Sequence, residues 1–121
     1  MVGVLKIRPV EAFISDDKDA LGKMDAYVKV TVGSQEHKTA IAKGMGKTPA
    51  WKDELVFNIG NEQEVKVELW DDDIGPDDFL GKVVIPLKDI AGHGIVEKNF
   101  VLVSRILHSQ LGTIHLRLEY H

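Results

Sequence analysis

Three features of the 121-residue sequence predict an all-β fold, an eight-stranded antiparallel β-sandwich. Apolar and polar residues alternate with a period of two along most of the chain, and sustained helical spacing is missing. Gly, Pro, Asp and Asn interrupt the alternation every 8 to 16 residues, the rhythm of short strands joined by turns.

The elements follow in order. Leu5 and Ile7 alternate with Lys6 and Arg8 in a first strand. Ala26, Val28, Val30 and Val32 form one face of the second, with Tyr27, Lys29 and Thr31 on the other. A weaker strand is expected near residues 36–42, and then Leu55, Phe57 and Ile59 resume the period. Val65, Val67 and Leu69 follow, then Val83 and Ile85, a weaker strand at 97–103, and finally Gly112–Tyr120, where Ile114, Leu116 and Leu118 alternate with His115, Arg117 and Glu119. Pro86 to Ala91 is compatible with one helical turn, since proline suits a first turn. Ser104 to Leu111 reads equally as loop or short helix.

The composition fits one domain over residues 1–121, 44% hydrophobic and 28% charged. A chain of this length buries roughly two thirds of its unfolded surface and needs no metal or disulfide staple. Without cysteine, a disulfide framework, a thiolate zinc site and a cysteine nucleophile are excluded. No apolar run approaches the ~18 residues of a membrane span, so a cytoplasmic protein is the expectation.

The formal charge of −4 argues against nucleic-acid binding, and its distribution says more. Residues 16–25 hold four Asp and two Lys, and residues 71–78 hold five Asp and no base, so these segments sum to −7 on a mildly basic body. If successive strands form hairpins, alternate connections emerge at one end of the sandwich. The connections near 14–25, 43–50, 71–79 and 104–112 then share an end, and the two acidic segments face each other.

Carboxylates gathered on loops repel one another, and a divalent cation relieves that repulsion. An oxygen-only cup of many ligands on loops favours Ca²⁺ over Mg²⁺. An EF-hand beginning at Asp71 fails, because Pro76 falls where the turn glycine belongs and Lys82 where the bidentate Glu belongs.

The runs DALGKMDAYVKVTV, HKTAIAKGMGKTPAWKDELVF and VELWDDDIGPDDFLGKVVIPL together resemble the C2 domain, the calcium-dependent phospholipid-binding sandwich, over nearly the whole chain. The resemblance implies ligand positions at Asp19, Asp25, Asp71, Asp73 and Asp78, which with loop carbonyls hold two or three Ca²⁺ ions. Ala26 replaces the usual proline after the second Asp, and Thr48 stands where Asn often precedes the Pro49-Ala50-Trp51 unit. The interval from Asp73 to the last ligand is one residue shorter than the common form, which leaves the last role open between Asp78 and Asp77, alone or shared. The first strand resembles the second strand of the synaptotagmin arrangement and the last strand resembles its first, as in the permuted, type II topology. Small plant elicitor-responsive C2 proteins are similar through SQEHKTAIAKGMGKTPAW and DDFLG.

The resemblance implies a peripheral module recruited to anionic phospholipid membranes when calcium binds. Leu21, Met24, Ile74 and Pro76 are apolar residues within the charged loops, read either as membrane contacts or as packing at the loop bases. Ile106 and Leu107 have the same two readings. Lys29, Lys38, Lys43 and Lys47 are the candidates for a basic lipid contact, against the plainer reading of a solvated face. The alternative function is a calcium-independent protein-interaction domain with protein partners. Enzymatic activity has no positive support: Gly44-Met45-Gly46-Lys47-Thr48 lacks the opening glycine of a phosphate loop, the histidines have no zinc spacing, and no serine has a recognisable triad. Oligomeric state is open.

Overall fold

The computed structural model describes residues 2–15, 24–104 and 109–121. Among these, β1 (Gly3–Ile14), β2 (Ala26–Val32), β3 (Gln35–Lys38), β4 (Leu55–Ile59), β5 (Glu64–Asp71), β6 (Asp78–Pro86), β7 (Ile95–Val103) and β8 (Gln110–Tyr120) are strands, with one short helix, α1 (Lys88–Ala91), after Pro86. The spatial order is β3-β2-β5-β6-β7-β8-β1-β4 with all pairings antiparallel. β6 and β7 share a single register pair, Lys82 with Val103, so the order folds over there into two four-stranded layers.

The inward faces are those that alternation marks. Val28, Val30 and Val32 of β2, Val65, Val67 and Leu69 of β5, and Ile114, Leu116 and Leu118 of β8 are fully buried in one core. Sheet registry between β5 and β2 sets Val67 opposite Val30 and Leu69 opposite Val28, so like faces meet.

Two irregularities change which residues face inward. β1 runs on through Pro9 to Ile14, longer than the alternation at Leu5 and Ile7 announces. Its register to β8 shifts between Pro9 and Glu11, and the buried set changes from Leu5, Ile7 and Pro9 to Ala12 and Ile14. One extra residue in a strand keeps the following apolar side chains on the core side, which is the work of a β-bulge. Proline, which lacks a ladder N–H, is suited to such a place. The second bulge lies opposite Leu69 and Trp70, where the β6 partners pass from Gly81 to Phe79 and skip Leu80.

The predicted strand at 36–42 is shorter than expected, ending at Lys38. Beyond it the chain belongs to β2: Thr39 N–H donates to the Val28 carbonyl, and Ala42 N–H to that of Ala26. At the far edge, the Gln35 side-chain amide donates to the Asn58 carbonyl and accepts from its N–H, capping the border of β4 where a further strand would otherwise add.

The connections fall at two ends as the hairpin argument requires. Ile14 N–H donates to the Lys47 carbonyl, Ser15 N–H to that of Leu111, Gly46 N–H to that of Met24, and Asp72 N–H to that of Asp25, joining four connections at one end. At the other end, Val4 and His121 exchange backbone hydrogen bonds. The first and last strands thus begin and finish away from the acidic connections.

Candidate functional site

The residue that organises the acidic end is Asp25. Its N–H donates to Asp71 Oδ1 at 2.9 Å, its own Oδ1 accepts from Gly44 N–H at 2.7 Å, and its carbonyl accepts from Asp72 N–H at 2.9 Å. Three connections are therefore tied through one residue. Register explains the placement: Asp71 lies opposite Ala26 on β2 and opposite Asp78 on β6. Asp71 continues the inward parity of Val65, Val67 and Leu69, so Asp71 and Asp78 share the rim of the inter-sheet opening.

The 72–77 turn is shaped by its own carboxylates. Asp73 Oδ1 accepts from Ile74 N–H at 2.8 Å, and Asp77 Oδ1 accepts from Asp73 N–H at 3.3 Å. The other oxygen of Asp77 accepts from the Tyr27 hydroxyl at 2.5 Å. Tyr27 points to the outer face, where the register aligns it with Trp70 and Phe79; these two rings meet edge to face at 5.3 Å. Alternation marks Tyr27 as outward, but its bond to Asp77 spans 50 positions and has no signal in the sequence.

The electrostatics divide accordingly. Burial, with the charges of Asp25, Asp73 and Asp78, raises the Asp71 carboxyl above the ordinary Asp range against the Asp25 N–H, which acts to lower it. The Tyr27 hydrogen bond holds Asp77 below that range, and burial first, then Asp77, pushes the Tyr27 hydroxyl up. Because the folded state binds the Asp71 proton more tightly than the unfolded chain, its contribution to stability is complete below the ordinary Asp pKa and lost as pH rises through the raised value. In chelator, Asp71→Asn should match wild-type thermal stability at low pH and gain an advantage as pH climbs through that window. Melting curves against pH check this; a constant difference would refute it.

Of the metal candidates, Asp25, Asp71, Asp73, Asp77 and Asp78 are at this end, and Asp19 lies outside the described residues. Among the described residues no group of three or more Asp, Glu or His side chains is already closed into a metal site. The donor set is nevertheless carboxylate and carbonyl oxygen only, which fits a hard cation such as Ca²⁺ and no soft metal. The like-charge pressure on Asp71 is what such a cation relieves.

Of the membrane-contact candidates, Ile74 and Pro76 are exposed, Ile74 completely. Of the two readings of Met24, the membrane contact is corrected and the packing holds: at 3% exposure it lies in the core, its carbonyl accepting from Gly46 N–H at the base of the connection. Leu21, Ile106 and Leu107 lie outside the described residues. Sequence reasoning missed Ile41 and Met45, exposed at 44% and 47% in the 39–54 connection, which reaches the same end through Gly44.

The lysines do not form one strip. Lys29 and Lys38 are register partners on the outer face, but Lys29 lies 3.6 Å from Glu68 and 4.0 Å from Glu36 and covers the Trp70 ring. Lys38 covers Tyr27. Lys43 and Lys47 stand apart in the 39–54 connection. Trp51 packs in the core, its indole N–H donating to the Ala26 carbonyl at 3.2 Å and holding that connection against the start of β2.

A two-layer antiparallel sandwich with carboxylates on neighbouring connections at one end defines a class of loop-tip binding domains. The C2 domain family model matches residues 3–102, and the chain belongs to the C2 domain family. This is a family of calcium- and membrane-binding modules, and the C-terminal β8 seated between β7 and β1 is its type II arrangement. The chain is 35% identical over 96 residues to 16 kDa phloem protein 2 of Arabidopsis thaliana, covering 78% of this chain and 65% of that protein. It is 34% identical over 96 residues to elicitor-responsive protein 3 of Oryza sativa subsp. japonica, covering 78% and 67%. Against human extended synaptotagmin-3 the identity is 33% over 125 residues, 98% of this chain but 13% of that protein. Among solved structures, the calcium-bound pair of C2 domains of extended synaptotagmin 2 aligns with a TM-score of 0.82 at 30% identity, covering 98% of this chain and 45% of that one.

Proposed function

We propose that this domain binds Ca²⁺ at the Asp25–Asp71 end and docks there, when loaded, on anionic phospholipid membranes. The observation that carries the reading is the gathering of carboxylates at one end, where Asp71 Oδ1 accepts from the Asp25 N–H at 2.9 Å and Asp71 sits opposite Asp78, in an all-oxygen setting. Asp19, Asp25, Asp71, Asp73 and Asp78 would hold two or three ions, with Asp77 beside them. Bound calcium supplies the positive charge that lets an acidic rim meet anionic lipid, and coordination positions for phosphate oxygens.

The chain's own residues do the rest. Asp25 draws three connections together and fixes the direction of the Asp71 carboxylate. Ile74 stands fully exposed in the 72–77 turn and Met45 is exposed in the 39–54 connection, and both enter the headgroup region. Lys43 reaches lipid more readily than Lys29, which Glu68 and Glu36 already engage. The domain acts as a binding module, not an enzyme. A protein that resides in the cytoplasm and is recruited on calcium entry fits this reading; among the described residues no helix is long and apolar enough to cross a membrane.

Co-sedimentation with phosphatidylserine-containing vesicles, in Ca²⁺ and in chelator, tests the proposal. Pelleting only in Ca²⁺ supports it; equal pelleting in both overturns it in favour of a calcium-independent module. Ile74→Asn should reduce pelleting about tenfold while leaving calcium affinity measured without lipid within about twofold, because burial of one such side chain is worth roughly 1.5–3 kcal/mol.

A further inference from the structure

The two consecutive carboxylates that close the 72–77 turn are sorted by the sheet. Asp78 opens β6 directly opposite Asp71, on the parity that leads into the core. Asp77, one residue earlier, turns the other way, and its two oxygens accept from the Tyr27 hydroxyl and the Asp73 N–H. Tyr27 itself is 7% exposed and held on the outer face between Lys38 and the Trp70–Phe79 pair. A charge-assisted bond from a buried donor is a positional restraint.

We infer that Tyr27 is a positioning residue of the binding tip: its hydroxyl holds Asp77 on the outer face as an anchor for the turn, leaving Asp78 to face Asp71 at the rim. This rests on the calcium reading above in assigning Asp78 as the ligand; the anchoring itself does not. The chain of restraint runs from Tyr27 to Asp77, from Asp77 to the Asp73 backbone, and so to the Asp73 side chain, whose Oδ1 accepts from Ile74 N–H. Partners that orient metal ligands commonly control affinity by 10- to 100-fold without touching the ion.

The variants are Tyr27→Phe, which deletes one oxygen, Asp77→Asn, their double, and Asp78→Asn. In chelator, amide hydrogen exchange at Asp73 should speed up in Tyr27→Phe and Asp77→Asn, and no further in the double, since the first takes away the donor and the second the charge of one and the same bond. Unchanged exchange in both single variants overturns the anchor whatever calcium does. In calorimetry with CaCl₂ alone, Tyr27→Phe and Asp77→Asn should each weaken binding about tenfold, the double by the same factor, and Asp78→Asn about hundredfold or more. These losses should appear at temperatures where circular dichroism finds every variant folded. Asp77→Asn as damaging as Asp78→Asn, or additive losses in the double, overturns the division of roles. Wild-type protein giving no calcium heat defeats the calcium reading and with it the assignment of Asp78, while the exchange measurement still decides the anchor.

Discussion

Asp71→Asn combined with Asp73→Asn will leave the sandwich folded and abolish calcium-dependent pelleting with anionic vesicles. Each substitution removes a charge and little volume, and the amide oxygen can still accept the hydrogen bonds that Asp71 takes from Asp25 N–H and Asp73 takes from Ile74 N–H. The local geometry is therefore kept while its affinity for a cation is lost. At calcium about 100-fold above its dissociation constant, wild-type protein should gain about 2.7 kcal/mol of stability, and the double variant essentially none. In chelator the variant should be at least as stable as wild type, because the charge crowding on Asp71 is gone. A variant that still pellets in Ca²⁺, with the melting temperature still rising on its addition, would move the binding site elsewhere.

Gly112→Ala should be among the most disruptive single substitutions, though Gly112 bears no side chain and touches no carboxylate. A Cβ there would fall on the Phe13 carbonyl oxygen, and lie 3.0 Å from Ile14 Cα. Both obstacles are backbone, so no rotamer change relieves them. β1 and β8 would have to part where Ala12 pairs with Ile114 and Ile14 with Gly112, at the base of two tip connections. Overpacking a tight site costs typically 1–3 kcal/mol, and this backbone clash belongs near 3 kcal/mol. Urea unfolding should read a loss of that order, and calcium affinity should fall too, since Ser15 N–H and hydroxyl both bond the Leu111 carbonyl beside the shifted pair. A loss under about 0.5 kcal/mol would mean the strands adjust freely there.

Much of the fold was legible because burial in a two-layer sandwich imposes a period of two, and β4, β5 from Val65 to Leu69, β2 from Val28 onward and β8 from Gly112 to Leu118 obey it. The helical turn after Pro86 was legible from the proline. The full length of β1 was not: the bulge beyond Pro9 exchanges odd for even burial, and a pattern that changes parity midway looks like an end. The strand expected to reach residue 42 stops at Lys38, since Thr39 and Ala42 bond β2 through isolated contacts instead of a continuous ladder. Met24 read as a loop residue because its neighbours are charged, yet the end of that connection turns inward and buries it.

The tip divides along the same line. Carboxylates concentrated in two segments, and the placement of alternate connections at one end, follow from the sequence alone, because charge is local and hairpins reverse direction every time. Which carboxylate faces which does not. Asp25 meets Asp71 across 46 positions and Tyr27 meets Asp77 across 50, and both meetings depend on the register of β2, β5 and β6 and on the bulge at Leu80. A slip of one residue in β6 would exchange the sides of Asp77 and Asp78, and only the packed sheets, by the cost of exposing Leu80 and Ile85, forbid that slip.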